Sequence, residues 1–498
     1  MTLAASVGFA DWLPQRGSNR KQILCRNADP RASMIQSPSR RFILTSAAAS
    51  AGLATAAAPA LAASDDTNWH ALAAEVKAEM AWAWRNYKDR AWGHDQIKPV
   101  SGGHEEFLFP NHPLGLSLVE ALDTLWVMGL DAEFEEGVNW VVNTLRFDID
   151  GDIQLFECSI RLVGGLLAAH HACGDKRLLD LAHDLCTRLA PAFEKSPTGM
   201  PFRFVNLKTG AVRDPITFPA EVGSYLPEWG TLAKLTGEKR FYDLPKAAAK
   251  AMYDCRSKLD LLADKIDVRT GEWLSRQATV GPPSDSYYEY LWDSWQLHGD
   301  ADCKRWYDVL TDAALKHQQV MANGHLWFAR VDYETGAVLN HHQTELDAFY
   351  GGLLGQGGHM KEGRAYTQSW AAVQDKFGVI PEGFDYATFQ ATTPSNALRP
   401  ELADSALNLW LLDWDPLWRR ICRTHFLNMK RTSRTTYGYS GIADVTKSPM
   451  TLDDSCPGYW WAEQMKYYYL IFSDTPRFDY HTNYLSTEGK VLLGFRRP

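Results

Sequence analysis

From residue 69 onward, apolar residues recur at steps of three and four along most of the chain. The stretches VEALDTLWVMG, ECSIRLVGGLLAAHH, LLDLAHDLCTRL, AEVGSYLPEWGTLAKL, SALNLWLLDW and YWWAEQMKYYYLIF each present one apolar face and predict amphipathic helices. A similar punctuation separates them: ACGDKRLLDLA at Gly174, LTGEKRFYDLPKAA at Gly237 and LHGDADCKRWYDVLTDAA at Gly299, the glycines 63 and 62 residues apart. Fainter echoes fall around Asp131, Gly358, Asp415 and Asp474. Each echo stops one helix and starts the next, which makes a helical hairpin. Seven such hairpins either stack as an open solenoid or close into a ring. The early helix WHALAAEVKAEMAWAWRNY has no hairpin partner of its own, and pairing it with the last helix, residues 459–472, closes a circle. The expected fold is all-α, a toroid of seven helical hairpins. Between hairpins, GMPFRFVNLKTGAVRDPITFPA and NGHLWFARVDYETGAVLNHH are rich in Gly, Pro and β-branched residues and predict short β-hairpins on one rim.

Acidic residues keep step with the hairpins. Glu157, Glu221, Asp285, Glu345 and Glu401 each open a helix, at steps of 64, 64, 60 and 56 residues. In a closed ring such starts converge at one end of the axis, so the acids are expected to line a funnel. Orphan N–H groups and the helix dipole favour an acid at any helix start by about 0.3–1 kcal/mol, so capping alone accounts for any single one. Their company argues for more. Arg161 lies one turn after Glu157, Arg399 two residues before Glu401, and Tyr287 and Tyr288 follow Asp285. Carboxylates, bidentate donors and aromatic faces together suit a sugar, which needs hydrogen bonds at its hydroxyls and a flat apolar surface beneath its ring.

Composition narrows the partners. The 498 residues are 45% hydrophobic and 12% aromatic, with a formal net charge of −9. That is ample for a large core and offers no basic surface to nucleic acid or anionic lipid. The segment SRRFILTSAAASAGLATAAAPALAA holds Arg40-Arg41, a weakly apolar run and an Ala60-Leu61-Ala62 cleavage pattern. It reads as a twin-arginine export signal, with Met34 as an alternative start. Residues 1–62 are then expected to be a disordered segment followed by this signal peptide, and residues 63–498 a single domain of a bacterial protein, periplasmic or secreted. No later window has the unbroken apolar length of a membrane span, and nothing demands more than a monomer. Cys158, Cys173, Cys186, Cys255, Cys303, Cys422 and Cys456 follow the leader without a CxxC pair, so no disulfide framework is expected. HEEFL at His104 lacks the second histidine of HExxH, GYSGI breaks GxSxG at Ile442, and no P-loop or GxGxxG follows a strand. The pairs His170-His171 and His341-His342 point apart and suit solvent or rim roles, and GGLLGQGG at 351–358 reads as a tight helix turn.

Several blocks resemble one known family. SLVEALDTLWVMGL (117–130), FECSIRLVGGLLAAH (156–170), SDSYYEYLWDSW (284–295), LRPELADS (398–405), GYSGIADVT (438–446), AEQMKYYYLIFSD (462–474) and STEGKVL (486–492) are similar, in order, to glycoside hydrolase family 47, the class I α-1,2-mannosidases. The resemblance implies an (α/α)7 barrel with its C-terminal segment, residues 475–498, plugging the ring. It also implies an exo-acting, inverting hydrolase that removes terminal α-1,2-linked mannose from oligosaccharides or glycans with the help of Ca²⁺. Matched position by position, Glu157 stands at the general acid, Glu401 at the general base and Asp285 at a third catalytic carboxylate. Thr487 stands at the threonine that binds Ca²⁺ through its carbonyl and hydroxyl oxygens. Glu221, Glu463 and Glu488 match acids around metal and sugar, Arg161 and Arg399 the substrate-side arginines, and Tyr459 the aromatic that stacks on the mannose. An inverting pair sits about 6.5–9.5 Å apart to admit a water, a separation that carboxylates on different spokes of a funnel can meet. The chain departs from the family pattern at Pro283 (commonly Arg), Glu345 (commonly His) and Asp404 (commonly Glu), which bears on linkage preference and outer subsites. Two other readings stand beside this one: a mannose-glycan-binding, lectin-like protein on the same barrel, and a different α/α-toroid sugar enzyme.

Overall fold

The computed structural model describes residues 67–494, with the exception of Asn111. The Arg40-Arg41 segment, all of residues 1–62 and the last four residues of the chain therefore lie outside the described residues. The rest is a closed double ring of helices. Seven inner segments run in chain order: Leu116–Val127, Leu155–Glu157 continuing through Gly164–Cys173, Pro219–Gly223 with Leu226–Thr236, Asp285–His298, Glu345–Phe349 with Tyr350–Gln356, Glu401–Asp413, and Trp460–Gln464 with Met465–Phe472. Each of the first six is followed by its outer partner: Asp131–Thr144, Lys176–Leu189, Arg240–Asp254, Ala301–His317, Met360–Phe377 and Pro416–Ser433.

The hairpin turns follow from local chemistry. Gly174, Gly237 and Gly299 sit at helix C-caps with φ of 72°, 80° and 68°, the left-handed region that favours glycine. Asp175, Asp300 and Asp415 then cap the outer helices through their side chains.

The seventh inner segment takes the first helix, Trp69–Ala91, as its outer partner. Trp69 stacks on Phe472 at 5.7 Å, and Trp84 and Tyr87 pack against Trp461 at 6.2 and 5.7 Å. Lys430 to Glu75 (2.5 Å) and Arg434 to Glu79 (2.9 Å) tie the same helix to the preceding outer one. The expected seam is thus present and the barrel is (α/α)7.

The connections carry the short sheets. Asp152–Gln154, Phe204–Asn206 and Val212–Arg213 form one, and Ile216–Thr217, Ile266–Asp267 and Glu272–Trp273 another. Gln319–Ala322 pairs with His325–Phe328 in a two-residue hairpin at Asn323-Gly324. One local expectation needs correction. Residues 351–356 are helical rather than a turn, and their glycines serve packing: a Cβ on Gly351 would lie 2.1 Å from Thr367 Oγ1, and one on Gly352 2.7 Å from the Ser405 Cα. Cys158, Cys186, Cys255, Cys303, Cys422 and Cys456 are free thiols.

Near the C-terminus, Asn483–Leu485 pairs with Val491–Leu493, and the turn between them enters the ring. Two buried lysines seat it. Lys490 Nζ lies 2.8 Å from Glu120 Oε1, and Lys466 Nζ lies 2.7 Å from Asp123 Oδ2 while also donating to the Gly489 carbonyl. Asp123 Oδ2 further accepts from Val491 N at 3.0 Å.

Candidate active site

A cavity of about 390 Å³ opens on the ring axis. Six of the seven inner segments, or the residues just before them, supply its wall, and the C-terminal turn supplies Thr487 and Glu488. All ten residues expected at the site line it: Glu157, Arg161, Glu221, Asp285, Arg399, Glu401, Tyr459, Glu463, Thr487 and Glu488.

Small residues make room for this convergence. A Cβ on Gly281 would collide with Asp347 Oδ1 at 1.1 Å, so only glycine lets the Pro282-Pro283 turn seat there and deliver Asp285 to the pit. A Cβ on Gly458 would meet Glu120 Oε2 at 2.3 Å, which is how Tyr459 comes to lie above the Glu120–Arg161 pair. Asp285 is the first residue of its helix and its N-cap, Ser284, makes no side-chain cap.

Arginines organise one wall. Arg161 Nε donates to Glu157 Oε2 at 2.6 Å and its Nη1 to Glu120 Oε2 at 3.2 Å. Arg399 Nε donates to Glu382 at 3.0 Å. The Tyr459 ring lies between them, 5.6 Å from the Arg161 guanidinium and 5.1 Å from that of Arg399, and its hydroxyl donates to the Ala397 carbonyl at 2.7 Å. Glu221, at the outer edge, is held by Arg203, by Gln154 Nε2 at 2.9 Å and by Thr217 Oγ1 at 3.0 Å. On the floor, Thr487 N donates to Asp293 Oδ2 and the Tyr467 hydroxyl to the Thr487 carbonyl, each at 2.9 Å.

The pit acids are buried beyond the number of local cations. Burial pushes Asp285 up to about 6 and Glu401 up to about 7, in the latter case against the pull of Arg399. Glu488 rises to about 8 by burial, despite Arg161. Burial raises Glu463 with Glu488 adding repulsion, and it raises Glu289 and Asp404 well above the usual carboxylate range. Glu401 Oε2 is buried without a hydrogen-bond partner. An acceptor left in that condition awaits a ligand or a water.

Two acids behave differently from the sequence expectation. Glu345 does not line the pit. It is fully buried behind the wall, its Oε2 accepting from Asn396 Nδ2 at 2.6 Å. Its helix opens as a 3₁₀ turn, Glu345–Phe349, in which positions three apart share a face, so Leu346 and Phe349 reach the cavity instead. Glu289, one turn beyond Asp285, does line it and was not singled out; its i+4 spacing from Asp285 was the available signal. Two π-helical segments, Cys158–Val163 and Trp460–Gln464, carry Arg161 and Glu463. Such bulges concentrate at functional sites, and periodicity does not reveal them.

A toroid whose inner helix starts gather carboxylates, arginines and an aromatic face around one pit is the architecture of a sugar-handling protein, and the family match makes it a glycoside hydrolase. More narrowly, the chain belongs to glycosyl hydrolase family 47, whose model matches residues 79–493. It is 34% identical over 446 residues to alpha-mannosidase I MNS5 of Arabidopsis thaliana, covering 84% of this chain and 76% of that one. It is 32% identical over 428 residues to the mannosyl-oligosaccharide 1,2-alpha-mannosidase IB of Mus musculus, covering 80% of this chain and 66% of the relative's length. Among solved structures, an alpha-1,2-mannosidase from Trichoderma reesei superposes with a TM-score of 0.77 at 23% identity, over 85% of this chain and 99% of that one, and shares the fold.

Proposed function

We propose that this chain is an exo-acting, inverting, Ca²⁺-dependent α-1,2-mannosidase acting on mannose-containing oligosaccharides or glycans. The observation that carries the reading is the meeting of Glu157, Asp285 and Glu401, from three separate inner segments, in one cavity with Thr487 at its floor. Family membership sets aside a different toroid sugar enzyme.

Glu157 is the proposed general acid, placed on the Arg161 wall where it can protonate the departing oxygen. Glu401 is the proposed general base: burial makes it a stronger proton acceptor than a solvated glutamate, and its unpartnered Oε2 is free to take a proton from water. Asp285 completes the set, and Tyr459 offers the face for the sugar ring. Arg161 and Arg399 orient hydroxyls, each fixed by a carboxylate partner.

The donor set suits a hard cation. Thr487 supplies carbonyl and hydroxyl oxygens, and Glu463 and Glu488 lie beside it in an all-oxygen, acid-rich floor, the chemistry Ca²⁺ prefers. When bound, the ion supplies orientation of sugar hydroxyls and of the attacking water. Residues 63–498 are read as the catalytic domain and residues 1–62 as the export leader. Among the described residues no helix is long and apolar enough to cross a membrane.

The test is release of mannose from α-1,2-mannobiose by Ca²⁺-loaded enzyme, its loss in EDTA, and proton NMR of the first product. β-Mannose is expected. An α-anomer refutes inversion, undiminished turnover in EDTA refutes the metal requirement, and no turnover with intact binding points to a lectin.

A further inference from the structure

Outside the pit, His94, His104 and Glu106 bring their ligand atoms within 4.8 Å of one another. His94 follows the first helix, and the hairpin formed by Gln96–Lys98 and Gly103–Glu105 carries the other two back beside it, with Ile97 opposite His104. His104 lies in the returning strand, and Glu106 is the residue just past its end. The imidazoles of His94 and His104 stack at 3.5 Å with planes 19° apart, and His94 Nδ1 lies 2.5 Å from Glu106 Oε1.

We propose that these three side chains form a binding site for a divalent transition metal of the zinc class, distinct from the axial pit. Two imidazoles and one carboxylate make a mixed nitrogen and oxygen set, which suits zinc-like ions and not the hard cations that select oxygen alone. An ordinary histidine–glutamate ion pair accounts for His94 and Glu106 but leaves His104 without a purpose. Among the described residues no hydrogen bond or ion pair engages the His104 ring. An imidazole donates to a metal through a lone pair in its own ring plane, so a shared ion turns the His104 ring out of its stack on His94. Ligand atoms on a tetrahedral zinc lie about 3–3.5 Å apart and those here within 4.8 Å, so closing the site also asks for a movement of about 1 Å. His104, the exposed member, is free to make it.

The surroundings are already ordered. Glu106 Oε2 accepts from Asp95 N at 3.1 Å, which fixes the carboxylate and leaves Oε1 toward His94. The Asp95 carboxylate accepts four backbone N–H groups, from Phe107, Leu108, Leu114 and Leu116, at 2.9–3.2 Å. The His94 carbonyl takes the Tyr87 hydroxyl at 2.6 Å. Such supporting bonds orient metal ligands and hold their affinity. The next residue, Phe107, has its ring 5.8 Å from the Arg161 guanidinium, so an ion here braces a segment that touches the pit wall without entering it.

The test titrates Zn²⁺ against a chromophoric chelator, using the full Ca²⁺-loaded protein, wild type and His104→Ala. Wild type is expected to take one zinc per chain, and His104→Ala to bind it about a hundredfold or more weakly, with Glu106→Gln following. Cobalt should give a visible absorption band in wild type that is lost in His104→Ala. Because His104 is exposed, that variant should keep its fold and its turnover in zinc-free buffer. Absence of zinc binding by wild type overturns the proposal. So does zinc held equally well by His104→Ala, which means that the three side chains do not form the site.

Discussion

The axial pit and the layer beneath it both hold carboxylates withdrawn from solvent, and they are oppositely provided for. In the lower layer Glu120 is met by Lys490 and Arg161, and those charges outweigh burial so that its carboxyl is lowered. Lys490 is correspondingly raised: burial pulls it down, and Glu120 with Asp123 and Glu463 more than offsets that. In the pit Glu463, Glu488, Glu289 and Asp404 are all raised by burial, with repulsion from neighbouring carboxylates adding to it. A buried charge is tolerable when paired and costly when alone. The difference separates charges the fold completes from charges a ligand must complete. The lower layer holds the C-terminal turn in place, and the upper one is left open for chemistry.

The sharpest way to break this comparison is at Glu401. Glu401→Gln keeps the shape and removes the acceptor, so turnover should fall about 10²–10⁴-fold while substrate affinity stays within a few-fold. Asp285→Asn should behave alike. Near-normal kcat in either variant removes that residue from the reacting set.

The next effect is on stability. Lys490→Met leaves Glu120 buried with Arg161 alone and should cost about 3–5 kcal/mol in denaturant unfolding of the folded enzyme. A loss below about 1 kcal/mol shows that the lower layer is not what seats the turn.

The smallest effect sharpens the contrast through pH. Asp285 (about 6), Glu401 (about 7) and Glu488 (about 8) have folded-state values above those of an unfolded chain. Between the two values the folded form binds more protons, so it gains stability as pH falls. In EDTA the Tm should therefore rise as pH is lowered from about 8 to about 5.5. Saturating calcium should reverse the slope, because the ion requires ionised carboxylates. A flat or falling Tm in EDTA across that window means the pit acids are compensated by the protein after all.

Much of this was legible in the chain itself. Helical hairpins give a three-and-four pattern and glycine stops, so the ring and its seam could be read, and the in-phase acids Glu157, Glu221, Asp285 and Glu401 came with it. Glu345 failed because a helix start can be wound as 3₁₀, which turns its first residue off the shared face. The π-helical turns at Arg161 and Glu463 alter the same periodicity invisibly. Thr487 had no spacing signal. It sits near the end of the chain, and its family resemblance alone marked it. Lys466, an ammonium inside the apolar run MKYYYLIF, carried a readable sign that was passed over: a cation so placed needs a buried acid, here Asp123.

The pairing of the first helix with the last has a consequence for how the molecule comes into being. Trp69 and Phe472 meet across a separation of some four hundred positions, and the turn carrying Thr487 follows later still. During synthesis from the amino end, each hairpin can form as it emerges, yet the circle stays open until the final inner helix is made. A truncated product keeps Glu157, Asp285 and Glu401 but has a raw apolar edge at the gap and no floor beneath them. Competence therefore arrives in a single step, once the last inner helix and the turn carrying Thr487 have emerged.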